Sequence, residues 1–171
     1  MTVFIAGIER HSSVNGPGVR YVVFLQGCPH HCHGCHNPDT WDISKGKAYQ
    51  IKDLVNDIAS TKYIDGVTLS GGDPLYQPLA VKELTDQLQK LGINVWCYTG
   101  WTYEQIQQGV AGYEAKEALL GIDVLVDGPF VLSKLSEDCV YRGSSNQRLI
   151  DVKRSIREGR AVETESYDFG L

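Results

Sequence analysis

Val19-Arg20-Tyr21-Val22-Val23-Phe24-Leu25 runs directly into Gln26-Gly27-Cys28-Pro29-His30-His31-Cys32-His33-Gly34-Cys35-His36-Asn37. Six of the first seven residues are apolar, and the run is strand-sized. The next twelve leave that pattern, and Pro29 and Gly34 exclude a regular helix. A strand therefore delivers the chain into a loop that carries three cysteines at CxxxCxxC spacing. Three thiolates so close together can hold an iron–sulfur cluster, which four cysteines ordinarily close, and leave one iron open. Two other chemistries fit the same residues. Cys28, Cys32 and Cys35 with His33 or His36 could complete a closed Cys₃His zinc site. A disulfide framework is the other, but five cysteines in 171 residues do not resemble a small stapled secreted domain. Four of the five histidines lie within residues 30–36, which favours a metal without choosing one.

Outward from this loop, strand-like runs alternate with helical patterns. Ile51, Leu54, Val55 and Ile58 stand at i, i+3, i+4, i+7 and predict an amphipathic helix over 51–60. Val67-Thr68-Leu69 is a short strand entering Ser70-Gly71-Gly72-Asp73-Pro74. Val81, Leu84, Leu88 and Leu91 mark a second helix, with Gly92 placed to cap it. Residues 93–98 form a third strand, and Thr102-x-x-Gln105 resembles a capping box that opens a helix. Residues 122–126 form a fourth strand, ending at Asp127-Gly128-Pro129. The pattern then loosens, with a last strand expected near 148–152 and a polar, loose tail over about 155–171. No repeat or linker divides the chain, so residues 1–171 are expected to form one domain with a core over about 15–152.

This alternation implies βαβ units and a parallel sheet. A closed eight-unit barrel takes about 250 residues, so this chain has room for roughly five or six units. The expected α/β fold is an incomplete TIM-like (β/α) barrel, open on one side. Functional loops in such folds follow the C-terminal ends of strands. The cysteine loop, Ser70-Gly71-Gly72-Asp73, Tyr98-Thr99-Gly100 and Asp127-Gly128 are thus expected to meet at one mouth. Gly71-Gly72 alone would be a turn. Facing the cysteine loop, it would let backbone approach a ligand and its amides and carbonyls bind a zwitterion. Asn15-Gly16-Pro17-Gly18 reads as a turn. Asp127 is a candidate for ligand or cation contact, and Cys97 and Cys139 are expected to be ordinary buried thiols.

A hydrophobic fraction of 42% suffices for one core, and a net charge of −5 gives no basic footprint for nucleic acid. Residues 1–10 lack the basic and apolar segments of a signal peptide, and no apolar run is long enough to span a membrane. A cytoplasmic location is expected, where thiols stay reduced.

CxxxCxxC after one strand and Gly-Gly-acid-Pro after the next resemble the radical S-adenosylmethionine superfamily. Asn15-Gly16-Pro17-Gly18, Cys35-His36-Asn37-Pro38-Asp39-Thr40-Trp41, Ser70-Gly71-Gly72-Asp73-Pro74-Leu75, Val126-Asp127-Gly128-Pro129-Phe130 and Arg142-Gly143-Ser144-Ser145-Asn146-Gln147 narrow it further. Together they resemble the activating proteins of glycyl-radical enzymes, most of all those of the anaerobic, class III ribonucleoside-triphosphate reductase. The resemblance covers about 15–152.

It implies that Cys28, Cys32 and Cys35 ligate a 4Fe–4S cluster whose fourth iron chelates S-adenosylmethionine. It places Gly34, Cys35 and His36 on the adenine side, Gly71, Gly72 and Asp73 on the methionine side, and Thr99 and Asp127 beyond. It implies reductive cleavage to a 5′-deoxyadenosyl radical, hydrogen abstraction from a glycine of the partner reductase, and an external flavodoxin or ferredoxin as reductant. Gly34 stands where the superfamily often has an aromatic residue, and Asp73 where it often has Glu. These departures leave the adenine contacts open, with His36 a possible substitute for the aromatic. The alternatives are an activator of another glycyl-radical enzyme such as pyruvate formate-lyase, a small-molecule enzyme such as a deazaguanine synthase, and a non-enzymatic zinc or electron-transfer module.

Overall fold

The run of residues 20–25 has nearly every side chain buried, as a strand covered on both faces must. A computed structural model describes residues 1–164 and places this run, β2 (Arg20–Leu25), near the middle of a seven-stranded mixed sheet. The elements in chain order are β1 (Thr2–Ser12), β2, β3 (Lys47–Gln50), α1 (Ile51–Ser60), β4 (Gly66–Gly71), α2 (Pro78–Lys90) and β5 (Val95–Tyr98). They continue with α3 (Tyr103–Gln107), α4 (Tyr113–Ala118), β6 (Val124–Asp127), β7 (Arg148–Asp151) and α5 (Val152–Glu158). The strand order is β3-β1-β2-β4-β5-β6-β7.

Only β2, β4, β5 and β6 run parallel, while β1, β3 and β7 pair antiparallel with their neighbours. The expected five or six βα units are therefore corrected to a four-stranded parallel centre with antiparallel flanks. Two local facts account for the difference. Register shifts between Ile5 and Gly7 and between Glu9 and Ser12 break the alternation in β1 that would have marked it as a strand. After β6 the only helical piece before β7 is a 3₁₀ turn at Leu132–Lys134. That connection returns the chain antiparallel rather than by a crossover.

Helix spacing and strand alternation select one face of the sheet for the main core. Ile51, Leu54 and Ile58 of α1 and Val81, Leu84 and Leu88 of α2 pack with Tyr21, Val23, Leu25, Val67 and Leu69. The alternate residues build a second, smaller cluster around Trp96, Val124, Val126 and Leu149. Arg20 is fully buried on that side, its Nη2 donating to Val67 O at 2.9 Å and Asn94 Oδ1 at 2.8 Å. Burial pulls its guanidinium down to about 10, still protonated at neutral pH. The Asn15-Gly16-Pro17-Gly18 turn lies over it. Thr68 Oγ1 donates to Asn15 O at 2.6 Å, and a side chain at Gly16 would touch Arg20, Thr68 and Trp96. This turn therefore covers the second face of the sheet.

The loose tail expected from 155 is corrected up to residue 164. Ser155 Oγ accepts from Val162 N at 2.8 Å, Asp151 N donates to Val162 O at 2.9 Å, and Ile150 bridges to Glu163. Val162, an apolar residue in a polar stretch, is buried and anchors this return. The rest of the expected tail lies outside the described residues.

Near the start of β2, Tyr21 Oη donates to Asp57 Oδ2 at 2.5 Å, and Arg10 pairs with the same carboxylate at 3.0 Å. The Tyr21 bond, with the Arg10 charge beside it, holds Asp57 below the usual carboxylate range. Its contribution is thus complete above about pH 4 and is lost as pH falls through the lower folded value. Tyr21→Phe should cost about 1 kcal/mol near neutrality. In urea denaturation, the gap to wild type should narrow as the pH is taken below the carboxylate range.

Candidate active site

Four strand ends open onto one cavity of about 260 Å³. Cys28, Cys32 and Cys35 line it from the loop after β2, and Ser70, Gly71 and Gly72 from the end of β4. Tyr98, Thr99 and Gly100 come from the end of β5, and Gly128 and Phe130 from beyond β6. The expected convergence of these loops is therefore observed.

The cysteine loop has almost no regular structure and is clasped by the segment that follows it. Gly27 N–H donates to Thr40 O at 2.6 Å and Cys28 N–H to Trp41 O at 3.1 Å. His31 stacks on Trp41 with ring centroids 4.3 Å apart and planes 6° from parallel. All three cysteines are free and partly exposed. Burial pushes the Cys28 thiol up to about 11, so a metal taking it as a ligand must displace its proton. Among the described residues, no three His, Cys, Asp or Glu side chains converge as the ligands of a single metal ion would.

The glycine pair meets this loop backbone to backbone. Gly71 has φ +99°, and a Cβ there would lie 2.5 Å from both Leu25 N and Leu25 O. A Cβ at Gly72 would lie 2.3 Å from Gly27 O. No side chain fits either position. Gly72 N–H donates to Leu25 O at 2.9 Å, so that amide is engaged by the neighbouring strand.

Asp73 turns its carboxylate toward its own protein. Its carboxylate is buried away from the cavity lining and filled by protein donors. It accepts from Leu75 N at 3.0 Å, Thr99 Oγ1 at 2.9 and 3.0 Å and Gly100 N at 2.9 Å, and His30 Nε2 lies 2.6 Å away. Thr99 lines the cavity, but its hydroxyl proton points to Asp73. Asp127 is likewise engaged by its own protein. It is buried off the cavity, where it accepts from Tyr103 N at 2.7 Å and pairs with Arg148 at 2.5 Å. Arg148 reaches on to Glu104 at 2.6 Å, so Asp127 holds α3 to β7. Gly34 does not line the cavity either. Its φ is +76°, and a Cβ would press on Leu132 at 3.0 Å, so it serves a tight turn. His36 does line the cavity and meets Phe130 edge-on at 5.1 Å.

Several lining residues carried no assignment from sequence, among them His30, Asn37, Trp41, Gly143 and Gln147. Gln147 Oε1 accepts from Gly143 N at 2.7 Å and its Nε2 donates to Gly128 O at 3.0 Å, tying the last loop to the end of β6. The Arg142–Gln147 hexapeptide was visible as a motif but has no periodicity from which a role could be read. Cys97 is fully buried with its thiol pushed well up, as expected, whereas Cys139 is only partly buried.

Residues 14–150 match the family described as a 4Fe-4S single cluster domain. The chain is 38% identical over 144 residues to the anaerobic ribonucleoside-triphosphate reductase-activating protein of Enterobacteria phage T4, covering 80% of this chain and 86% of that one. It is 35% identical over 143 residues to the protein of that name from Escherichia coli K12, covering 78% and 89% respectively. This chain belongs to the anaerobic ribonucleoside-triphosphate reductase-activating proteins. Its fold is like that of QueE from Escherichia coli, with a TM-score of 0.51 at 20% identity over 96% of this chain and 95% of that one.

Family membership decides between the metals left open by the spacing, in favour of a 4Fe–4S cluster over zinc. The donor set fits. Three free thiols share one cavity, and the remaining cysteines, Cys97 and Cys139, do not line it.

Gly71→Ala should lower stability by about 2 kcal/mol or more, because the new Cβ meets backbone atoms that cannot yield. Gly7→Ala, where nothing lies within 4 Å, should stay within about 0.5 kcal/mol of wild type. Urea midpoints of the two variants provide the comparison.

Proposed function

We propose that this chain activates an anaerobic ribonucleoside-triphosphate reductase by generating a glycyl radical on it. The observation that carries the proposal is the gathering of three free thiols and the Gly71-Gly72 backbone on one cavity in a member of this family. Cys28, Cys32 and Cys35 would hold the 4Fe–4S cluster and leave one iron without a protein ligand, free for S-adenosylmethionine. When bound and reduced, the cluster supplies one electron to the sulfonium, releasing methionine and a 5′-deoxyadenosyl radical.

The protein's part is placement and exclusion. Ser70, Gly71 and Gly72 present backbone at the methionine side, with no side chain to hold the ligand away. His36, on the side expected for the adenine, meets Phe130 edge-on at the cavity wall. Tyr98, Thr99 and Gly100 line the part of the cavity reached from β5. We read residues 1–171 as one domain and its open sheet as a partial (β/α) barrel, whose unclosed side admits the glycine-bearing segment of the reductase. The site reads as having a single cluster, so an external reductant of the flavodoxin or ferredoxin kind supplies the electron. A cytoplasmic location accords with this partner. Among the described residues no helix is long and apolar enough to cross a membrane.

The test is anaerobic reconstitution with iron and sulfide, reduction, and addition of S-adenosylmethionine with and without a supplied reductase. The expected result is 5′-deoxyadenosine, plus a glycyl-radical EPR doublet on the reductase. Alanine at Cys28, Cys32 or Cys35 should take both signals to background. Nucleoside formation without any radical on the reductase would move the assignment to another substrate.

A further inference from the structure

We propose that His30 is a positioning residue that locks the cysteine loop to the glycine loop through the buried carboxylate of Asp73. The inference rests on the function proposed above and names a residue which that reading leaves without a role.

His30 stands two residues after Cys28 and two before Cys32, in a stretch whose backbone-to-backbone hydrogen bonds lie at its ends, Cys28 N–H to Trp41 O and Cys35 N–H to Cys32 O. Its side chain turns inward, 14% exposed, with Nε2 at 2.6 Å from Asp73 Oδ2. The ring meets Trp101 edge-on at 4.7 Å. A Cβ on Gly100 would lie 2.5 Å from His30 Cδ2, so only glycine there leaves room for the imidazole. Asp73 itself cannot wander. Its other donors are Leu75 N, Thr99 Oγ1 and Gly100 N, and Pro74 follows it.

One carboxylate thus receives donors from the loops after β2, β4 and β5. Its own backbone N–H donates to Gly27 O at 2.8 Å, immediately before Cys28. A buried carboxylate left short of a donor is costly, so the three loops are held in one arrangement. The consequence falls on distance. The cysteines that carry the cluster and the Gly71-Gly72 backbone that carries the methionine end are fixed relative to each other by the His30–Asp73 contact. Shell residues that orient ligands in this way typically matter about 10–100-fold for affinity or activity.

Wild type, His30→Ala and His30→Gln are reconstituted anaerobically. Iron and sulfide are counted, and the EPR spectrum of the reduced cluster is followed as S-adenosylmethionine is titrated. His30→Ala should keep its cluster but need about tenfold more S-adenosylmethionine to give the spectral change, at the low end of the usual range for such residues. His30→Gln, whose amide N–H can reach the same carboxylate, should recover most of that loss. Cluster loss in the alanine variant that glutamine restores would support the lock equally. An alanine variant with wild-type cluster content and an unshifted titration would overturn it, as would alanine and glutamine variants impaired alike. A wild-type spectrum that ignores S-adenosylmethionine would instead overturn the functional reading, and this inference with it.

Discussion

The buried carboxylate of Asp73 requires donors, and it finds them on three loops that the chain reaches at widely separated points. Satisfying it brings the end of β5 and the middle of the cysteine loop against the end of β4. The backbone then closes the remaining gap: Gly72 N–H donates to Leu25 O and Asp73 N–H to Gly27 O. This extension of the β2–β4 pairing beyond the strands is possible only because residues 71 and 72 lack side chains. The shape of the cavity follows from these contacts.

The sheet is adapted to support that cavity from below. Its helix-covered face holds the larger core, with side chains from α1 and α2 at helical spacing against alternating strand residues. The other face is occupied by Arg20, Trp96 and the turn over residues 15–18. A guanidinium there is tolerable because two backbone carbonyls and the side chains of Thr68 and Asn94 accept from it. Farther along, Arg148 pairs with both Asp127 and Glu104 and anchors the antiparallel return of β7. Each buried charge thus ties together elements distant in sequence.

Much of this was legible in residue order. The spacing of Ile51, Leu54, Val55 and Ile58 located α1 at Ile51–Ser60, and Thr102 with Gln105 does form a capping box at α3. The strand feeding the cysteines is where the apolar run placed it. What escaped were elements whose signal is diluted. β1 is bulged, so its alternation slips, and α5 is short and mostly polar on its surface. The partners of Asp73 and Asp127 escaped for a different reason. A strand-end aspartate beside a glycine has the same sequence signature whether it faces a ligand or bonds to its own protein.

The sequence by itself determined the local chemistry: three thiols in one short loop, a glycine pair after the neighbouring strand, and the helices between them. These depend on spacing within a few residues, where covalent geometry leaves few choices. Only the tertiary structure decided which polar groups the cavity receives. His30 and Thr99 meet Asp73 across 43 and 26 residues of chain, and Arg148 meets Asp127 across 21. Whether a carboxylate is satisfied from within or left for a ligand depends on which distant donors the fold brings to it, and no local pattern encodes that.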